Sequence, residues 1–370
     1  MQRRRAVLTV LALALVGCGS SQGAAKTPGA SPNSASAPSP SPSPVLIVVA
    51  EEPPTGYLTG PTTVRLMRPD GKEVDRLTVK QKSRVARAAG GRIFVIGDLG
   101  SLKAIHRDGS VEDLGSLGSS PPSGFVVSPD GKRWLWDTFD ANLGSQVHLA
   151  GDGLAPRVVA QMQSGNASVH AYSWTAGGAF ISHHPNGIGG YILFDGPFGP
   201  VDRLDPDKYT TTPVQTGDCE FNDMARDGTV SCLTGSGQNS RAIKIIRKDG
   251  TAKTIQLAIP RFAQDGDAFF SRDGQMLSVG GAANVGTEGQ PEQFGTDVIT
   301  TKDGSIQRLA ADSVRPSDQM HGQAWLDDGS LVVFRPDGAA GGSAGVFLVG
   351  PGGKVTQLGG RGTPIGVISG

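Results

Sequence analysis

The sequence has no excess of charge of either sign, with 34 lysines and arginines against 34 aspartates and glutamates. Its basic residues are scattered along the chain. It therefore lacks the concentrated positive patch that a phosphate backbone requires, and nucleic acid is not an expected partner. Nor is there an apolar run long enough to span a bilayer: the stretch from Ala6 to Gly17 is twelve residues, where a spanning helix takes about 20. No His-Glu-x-x-His pair, no calcium loop with alternating ligands and a closing glutamate, and no cofactor motif is present, so neither metal nor cofactor is indicated. Cysteine is nearly absent, with three in 370 residues.

What is present is turn chemistry. Glycine (54) and proline (25) together make about a fifth of the chain, and 37 % of residues are apolar. That combination fits a turn-dense all-β protein with a real core.

The N-terminus has the parts of a secretion signal: Arg3-Arg4-Arg5, then the short apolar run. The run ends in Leu15-Val16-Gly17-Cys18, which closely resembles the lipobox of bacterial lipoproteins. That resemblance implies lipidation at Cys18, with residues 1–17 removed, and anchoring to the outer face of the cytoplasmic membrane, or to the outer membrane in a Gram-negative source. Arg4-Arg5-Ala6-Val7-Leu8 loosely resembles a twin-arginine signal, so the export route stays open. Residues 18–44 are rich in Pro, Ser and Ala and read as a disordered tether reaching between roughly 30 and 80 Å. The folded domain is expected over 45–370. Cys219 and Cys232 flank a hairpin turn near Asp227-Gly228, almost opposite one another, and in an exported chain they are expected to pair.

Two glycine series alternate through that domain. The first, Gly91, Gly131, Gly178, Gly228, Gly274 and Gly329, includes Ser128-Pro129-Asp130-Gly131-Lys132; the second is Gly71, Gly109, Gly153, Gly196, Gly250, Gly304 and Gly353. A period near 48 residues with two hairpin turns predicts four strands per unit. Six units carry both turns. A seventh has Val45–Val49 but no first strand, and 363–368 is one spare strand at the other end. The expected fold is a seven-bladed β-propeller of four-stranded antiparallel blades, its ring closed by pairing of the N- and C-terminal strands in one blade. Val127, Trp174, Met224, Phe270 and Trp325, each four residues before a first-series glycine, read as packing between blades.

The Ser-Pro-Asp-Gly-Lys turn and its copies resemble the repeat of bacterial TolB-like and WD40-like propellers. The likeness implies the fold across 45–370 and no shared active site.

In such blades one end has tight turns and the other has the longer connections: Glu51 to Gly60, Asp137 to Ser145, His183 to Gly190, Asp202 to Asp218, Gly280 to Gly295 and Arg335 to Gly345. Function concentrates in longer loops. Candidate binding residues there are Tyr57, Asp137, Asp140, His183, His184, Tyr209, Phe294 and Arg335, with Asn142, Asn186 and His321 beside them. No catalytic residue is assigned. Gly341-Gly342-Ser343-Ala344-Gly345 matches a nucleophile elbow in letters only, since a loop precedes it and a strand follows. The expected role is a monomeric, non-catalytic binding module on a lipid anchor, for another envelope or secreted protein. The alternatives are a carbohydrate hydrolase or lyase, or a glycan or small-ligand receptor. Three or more Asp, Glu, His or Arg side chains converging at the channel mouth favour the enzyme, and a dry apolar patch favours the protein partner.

Overall fold

A computed structural model describes residues 45–51, 62–79, 83–97, 99–118, 122–163, 165–185, 194, 196–197, 199–234, 242–257, 264–309 and 313–369. Cys18, the signal expected over 1–17, the tether expected over 18–44, Tyr57 and Asn186 lie outside them. Among the described residues every regular element is a strand except the 3-10 turn Asp318–Met320.

The strands pair antiparallel with their neighbours in chain order, as successive meanders. Meander I is Ser83–Ala89, Arg92–Gly97, Ser101–His106 and Val111–Ser116. Meander II is Phe125–Val127, Arg133–Asp140, Gly144–Gly151 and Leu154–Met162. Meander III follows with Ala167–Thr175, Gly178–Pro185, Val201–Asp205 and Thr210–Pro213. Glu220–Met224, Val230–Thr234, Ala242–Ile246 and Ala252–Gln256 build IV, and Gln264–Phe270, Met276–Ala283, Gln293–Thr300 and Ile306–Arg308 build V. Meander VI has three strands, Leu331–Arg335, Gly345–Val349 and Val355–Gly359. Where a fourth was expected, only two isolated bridges form, Trp325 to Leu331 and Arg315 to Phe334. The 3-10 turn occupies the intervening chain, capped by Ser317. In VII the C-terminal strand Thr363–Ser369 pairs antiparallel with Val45–Glu51, which continues to Thr62–Met67 and Glu73–Val79. One parallel bridge, Gly366 to Ala88, joins VII to I.

Burial falls from inner to outer strands: the interior of Val45–Glu51 is buried, while Thr210–Pro213 is wholly exposed. The apolar side chains fill the gaps between consecutive meanders, as two-faced sheets require. Phe94, Phe125 and Trp134 pack between I and II, with ring centroids 6.0 to 6.1 Å apart. Leu135 and Ile181 join II to III, Phe180 and Phe221 join III to IV, and Ile243 and Leu277 join IV to V. Trp325, Val332, Ile47 and Val49 share a cluster that brings VI against VII. Val127, Trp174, Met224, Phe270 and Trp325 are all buried.

The hairpin turn of II shows why its sequence recurs. Ser128 Oγ donates to Asp130 Oδ1 (2.6 Å) and accepts from the Arg133 N–H (2.9 Å), while Asp130 Oδ1 accepts from the Lys132 N–H (3.1 Å). Gly131 has φ 72°, and a Cβ there would stand 2.6 Å from the Ala89 carbonyl oxygen. Ser271, Asp273, Gln275 and Met276 repeat the same bonds in V.

The structure corrects the strand assignment in III. Gly196 precedes Val201–Asp205 and is not a hairpin turn; the turn runs from Asp205 to Tyr209, with no glycine. Asp205 Oδ1 accepts from the Asp207 and Lys208 N–H groups (3.0 Å each), and Tyr209 takes the positive φ (60°) that glycine takes elsewhere. The Asp202 to Asp218 stretch therefore contains two strands. Other connections shorten too: Asp137 lies within its strand, leaving 141–143 as the turn, and Phe294 lies within Gln293–Thr300.

Cys219 and Cys232 form a disulfide across the first hairpin of IV. Closing so short a loop is worth on the order of 2–3 kcal/mol. The Cys219→Ala/Cys232→Ala variant is expected to lose that amount in denaturant unfolding, and alkylation of the wild type should require reductant.

Candidate functional site

The inner strands of I to V and the 3-10 turn of VI line a cavity of about 470 Å³. It falls within the range that holds a small molecule. Arg87 enters from I, Gly124 and Phe125 from II, His170 and Ser173 from III, Glu220 and Asn222 from IV, Asp265 and Asp267 from V, and Asp318 and His321 from VI. The second strands add Asp137, Ser182 and His184.

Asp137 is 4 % exposed and held from two sides. Its Oδ1 accepts from the Gly124 N–H (2.8 Å) and its Oδ2 from His170 Nδ1 (2.9 Å). Gly124 allows this approach, since a Cβ would lie 2.7 Å from Asp137 Oδ2. The other ring nitrogen of His170, Nε2, lies 2.7 Å from Ser168 Oγ on the same strand. Two residues apart on a strand, the side chains of Ser168 and His170 share a face. The His184 ring sits 4.7 Å from that of His170; burial, and secondarily the neighbouring His170, pull it down to about 4, against the pull of Asp137. His184 is therefore neutral near pH 7.

Across the cavity, Arg87 contacts Gln319 and His321. Burial and the adjacent guanidinium hold His321 well below the usual imidazole range. Arg315 is 3.8 Å from Asp267, with its guanidinium over the rings of Phe194 (4.9 Å), Phe294 and Phe334 (5.3 Å each). Among the described residues, the buried hydroxyls of Ser173 and Ser182 and the Asn222 Nδ2 have no hydrogen-bond partner, although buried polar groups are ordinarily paired. Among the described residues, no three His, Cys, Asp or Glu side chains are grouped to hold a metal ion.

Of the residues expected from sequence, the structure brings Asp137, His184 and His321 into the cavity. Asp140 is exposed and caps its own turn through the Asn142 and Leu143 N–H groups. His183 bonds Asp202 (3.0 Å). Tyr209 lies in the turn after Val201–Asp205, at the tight-turned end, beneath Arg157 (3.9 Å from the ring centroid). Phe294 is buried, so it is no surface contact. Arg335 sits over Phe347 and donates to the Ser343 carbonyl (3.3 Å).

His170, Ser168, Asn222, Glu220 and Asp318 were not singled out from sequence. For Arg87 a signal existed: it stands four residues before Gly91, where five other repeats have a large apolar residue.

No protein-family model matches the sequence, and no curated protein matches it. Among solved structures, the periplasmic gluconolactonase of Pseudomonas aeruginosa is 17 % identical at a TM-score of 0.50, covering 87 % of this chain and 98 % of that one. A protein from Lactobacillus plantarum is 14 % identical at 0.51, with 88 % and 98 % covered. TolB from Acinetobacter baumannii is 13 % identical over 85 % of this chain and 80 % of its own, but at 0.45 that likeness is too loose to argue from. At these identities what is shared is the fold, and the all-β chain of four-stranded antiparallel sheets belongs with the β-propellers.

Proposed function

We propose that the protein is an exported, lipid-anchored, seven-bladed propeller whose axial cavity binds a small, neutral, polyhydroxylated ligand such as a sugar or a sugar-derived lactone. Meanders I to VII supply the blades, and the pairing of Thr363–Ser369 with Val45–Glu51 supports closure in the seventh. Cys18 carries the lipid, and 18–44 spaces the domain from the membrane. The observation that carries the ligand reading is the polar lining of one ligand-sized cavity, to which Glu220, Asn222, Asp265, His170 and His184 all contribute. Side chains of this kind hydrogen-bond the hydroxyls of such a ligand. The cavity is rich in carboxylates and imidazoles and is not a dry patch, which weighs against the envelope-protein reading as the role of this site. That a fold neighbour is named a periplasmic gluconolactonase is compatible with both the compartment and the ligand class.

Calorimetry of the full protein against a panel of sugars and sugar lactones tests the reading. At least one should bind, and Asn222→Ala should weaken it about tenfold, one lost hydrogen bond, without shifting the thermal midpoint. Equal affinity in wild type and variant would sink the assignment. A second reading, docking of another envelope protein on the rim, draws on Phe139 (72 % exposed) and Leu143 (50 %) around one hairpin turn.

A further inference from the structure

The described residues include one hydroxyl hydrogen-bonded to an imidazole that is itself held by a buried carboxylate. We infer that Ser168, together with the cavity-lining His170 and Asp137, forms a nucleophilic unit acting on small neutral or cationic carboxylic esters. This deepens the ligand reading above and rests on the same cavity.

The geometry has the three relations that activate a serine. Ser168 Oγ–H donates to His170 Nε2 (2.7 Å), and His170 Nδ1–H donates to Asp137 Oδ2 (2.9 Å). Asp137 cannot rotate away, because the Gly124 N–H fixes its other oxygen and its side chain is 5 % exposed. The strand bearing Ser168 is fixed to meander II by the Val169 N–H, which donates to the buried Ser145 Oγ (2.8 Å). Ser168 itself is only partly buried. Ser343, by contrast, lies in a bend ahead of Gly345–Val349, where its backbone carbonyl accepts from Arg335. The substrate class follows from charge. Glu220, Asp265, Asp267 and Asp318 line the cavity against Arg87, with Arg315 3.8 Å from Asp267, a carboxylate excess that would repel an anionic acyl group.

In the reaction Ser168 Oγ attacks the ester carbonyl carbon while its proton passes to His170 Nε2. The carbon–oxygen bond to the alcohol breaks, and His170 returns that proton to the departing oxygen, leaving the acyl group on Ser168. Water then attacks the acyl carbon as His170 takes its proton; the acid leaves and Ser168 regains its hydrogen. Asp137 is a positioning residue that holds the tautomer with Nδ1 protonated.

The test is labelling of the full protein with a fluorophosphonate probe, located by mass spectrometry, alongside hydrolysis of p-nitrophenyl acetate. One adduct on Ser168 is expected, with labelling and hydrolysis abolished in Ser168→Ala. Asp137→Asn is expected to lower the labelling rate constant by about 10³-fold or more while leaving the half-saturating probe concentration unchanged. An adduct on another residue, or hydrolysis unchanged in Ser168→Ala, overturns the inference. Sugar binding measured on Ser168→Ala separates the two readings: binding retained where wild-type labelling fails removes the nucleophile alone, and loss of both in folded wild type removes the cavity ligand as well.

Discussion

Deleting residues 363–370 abolishes the cooperative thermal unfolding of the protein. The lost strand pairs with Val45–Glu51 from Val45–Ser369 to Ala50–Thr363, and Ile365 and Ile368 are 2 % and 1 % exposed. Burying two such side chains is worth about 3–6 kcal/mol, against a total of about 5–15 kcal/mol for a typical domain. The deletion also removes the Val367 N–H that donates to Gln323 (3.0 Å), a tie between the last strand and the chain of meander VI. Circular dichroism melting of the full and shortened chains is the measurement. A shortened chain melting within a few degrees of the full one would mean that these contacts do not close the fold.

Raising the pH through neutrality weakens the wild type relative to Asp223→Asn. Asp223 is 2 % exposed on the first strand of IV. Burial pushes its carboxyl up to about 7, even though it accepts the Phe270 (2.9 Å) and Met224 (2.7 Å) N–H groups. A folded-state value above the unfolded one, about 3.9, means that the native protein binds the proton more tightly. That stabilisation is fully present below about pH 4 and is lost as pH rises through about 7, a span on the order of 4 kcal/mol. His184 and His321, both lowered, tilt stability the other way as pH falls, but they are common to both proteins and cancel in the difference. Urea unfolding of the pair from pH 4 to pH 8 checks it, and a difference that stays flat with pH would refute the assignment to Asp223.

Much of the fold could be read from turn chemistry, because Asp-Gly hairpins leave a mark that each repeat must keep. Gly131 and Gly274 sit where the repeat places them, with the same serine-centred bonds around each. The reading failed in III, where Asp205 and a left-handed Tyr209 do a glycine's work and Gly196 has the look of a turn without being one. The site was harder to read for a physical reason. Its residues come from the inner strands of different repeats, far apart in sequence, and they meet only when those strands converge. Asp137 was singled out for the wrong surroundings: it was placed on an exposed loop, whereas it is buried against His170. Exposed and buried aspartates look alike in a sequence, and only the partner across the meander boundary distinguishes them.

The pairing of the first strand with the last also dictates an order of events during folding. One edge of Val45–Glu51 stays open until it meets a strand more than three hundred residues later in the sequence. Until then that edge offers unpaired amides on a seven-residue segment, Val-Leu-Ile-Val-Val-Ala-Glu, with the β-branched, nearly uncharged composition that self-associates. Contacts spanning more than three hundred residues also form late, because the loop they close is long. The chain therefore covers an association-prone edge late, and its refolding yield depends on how quickly that pairing forms.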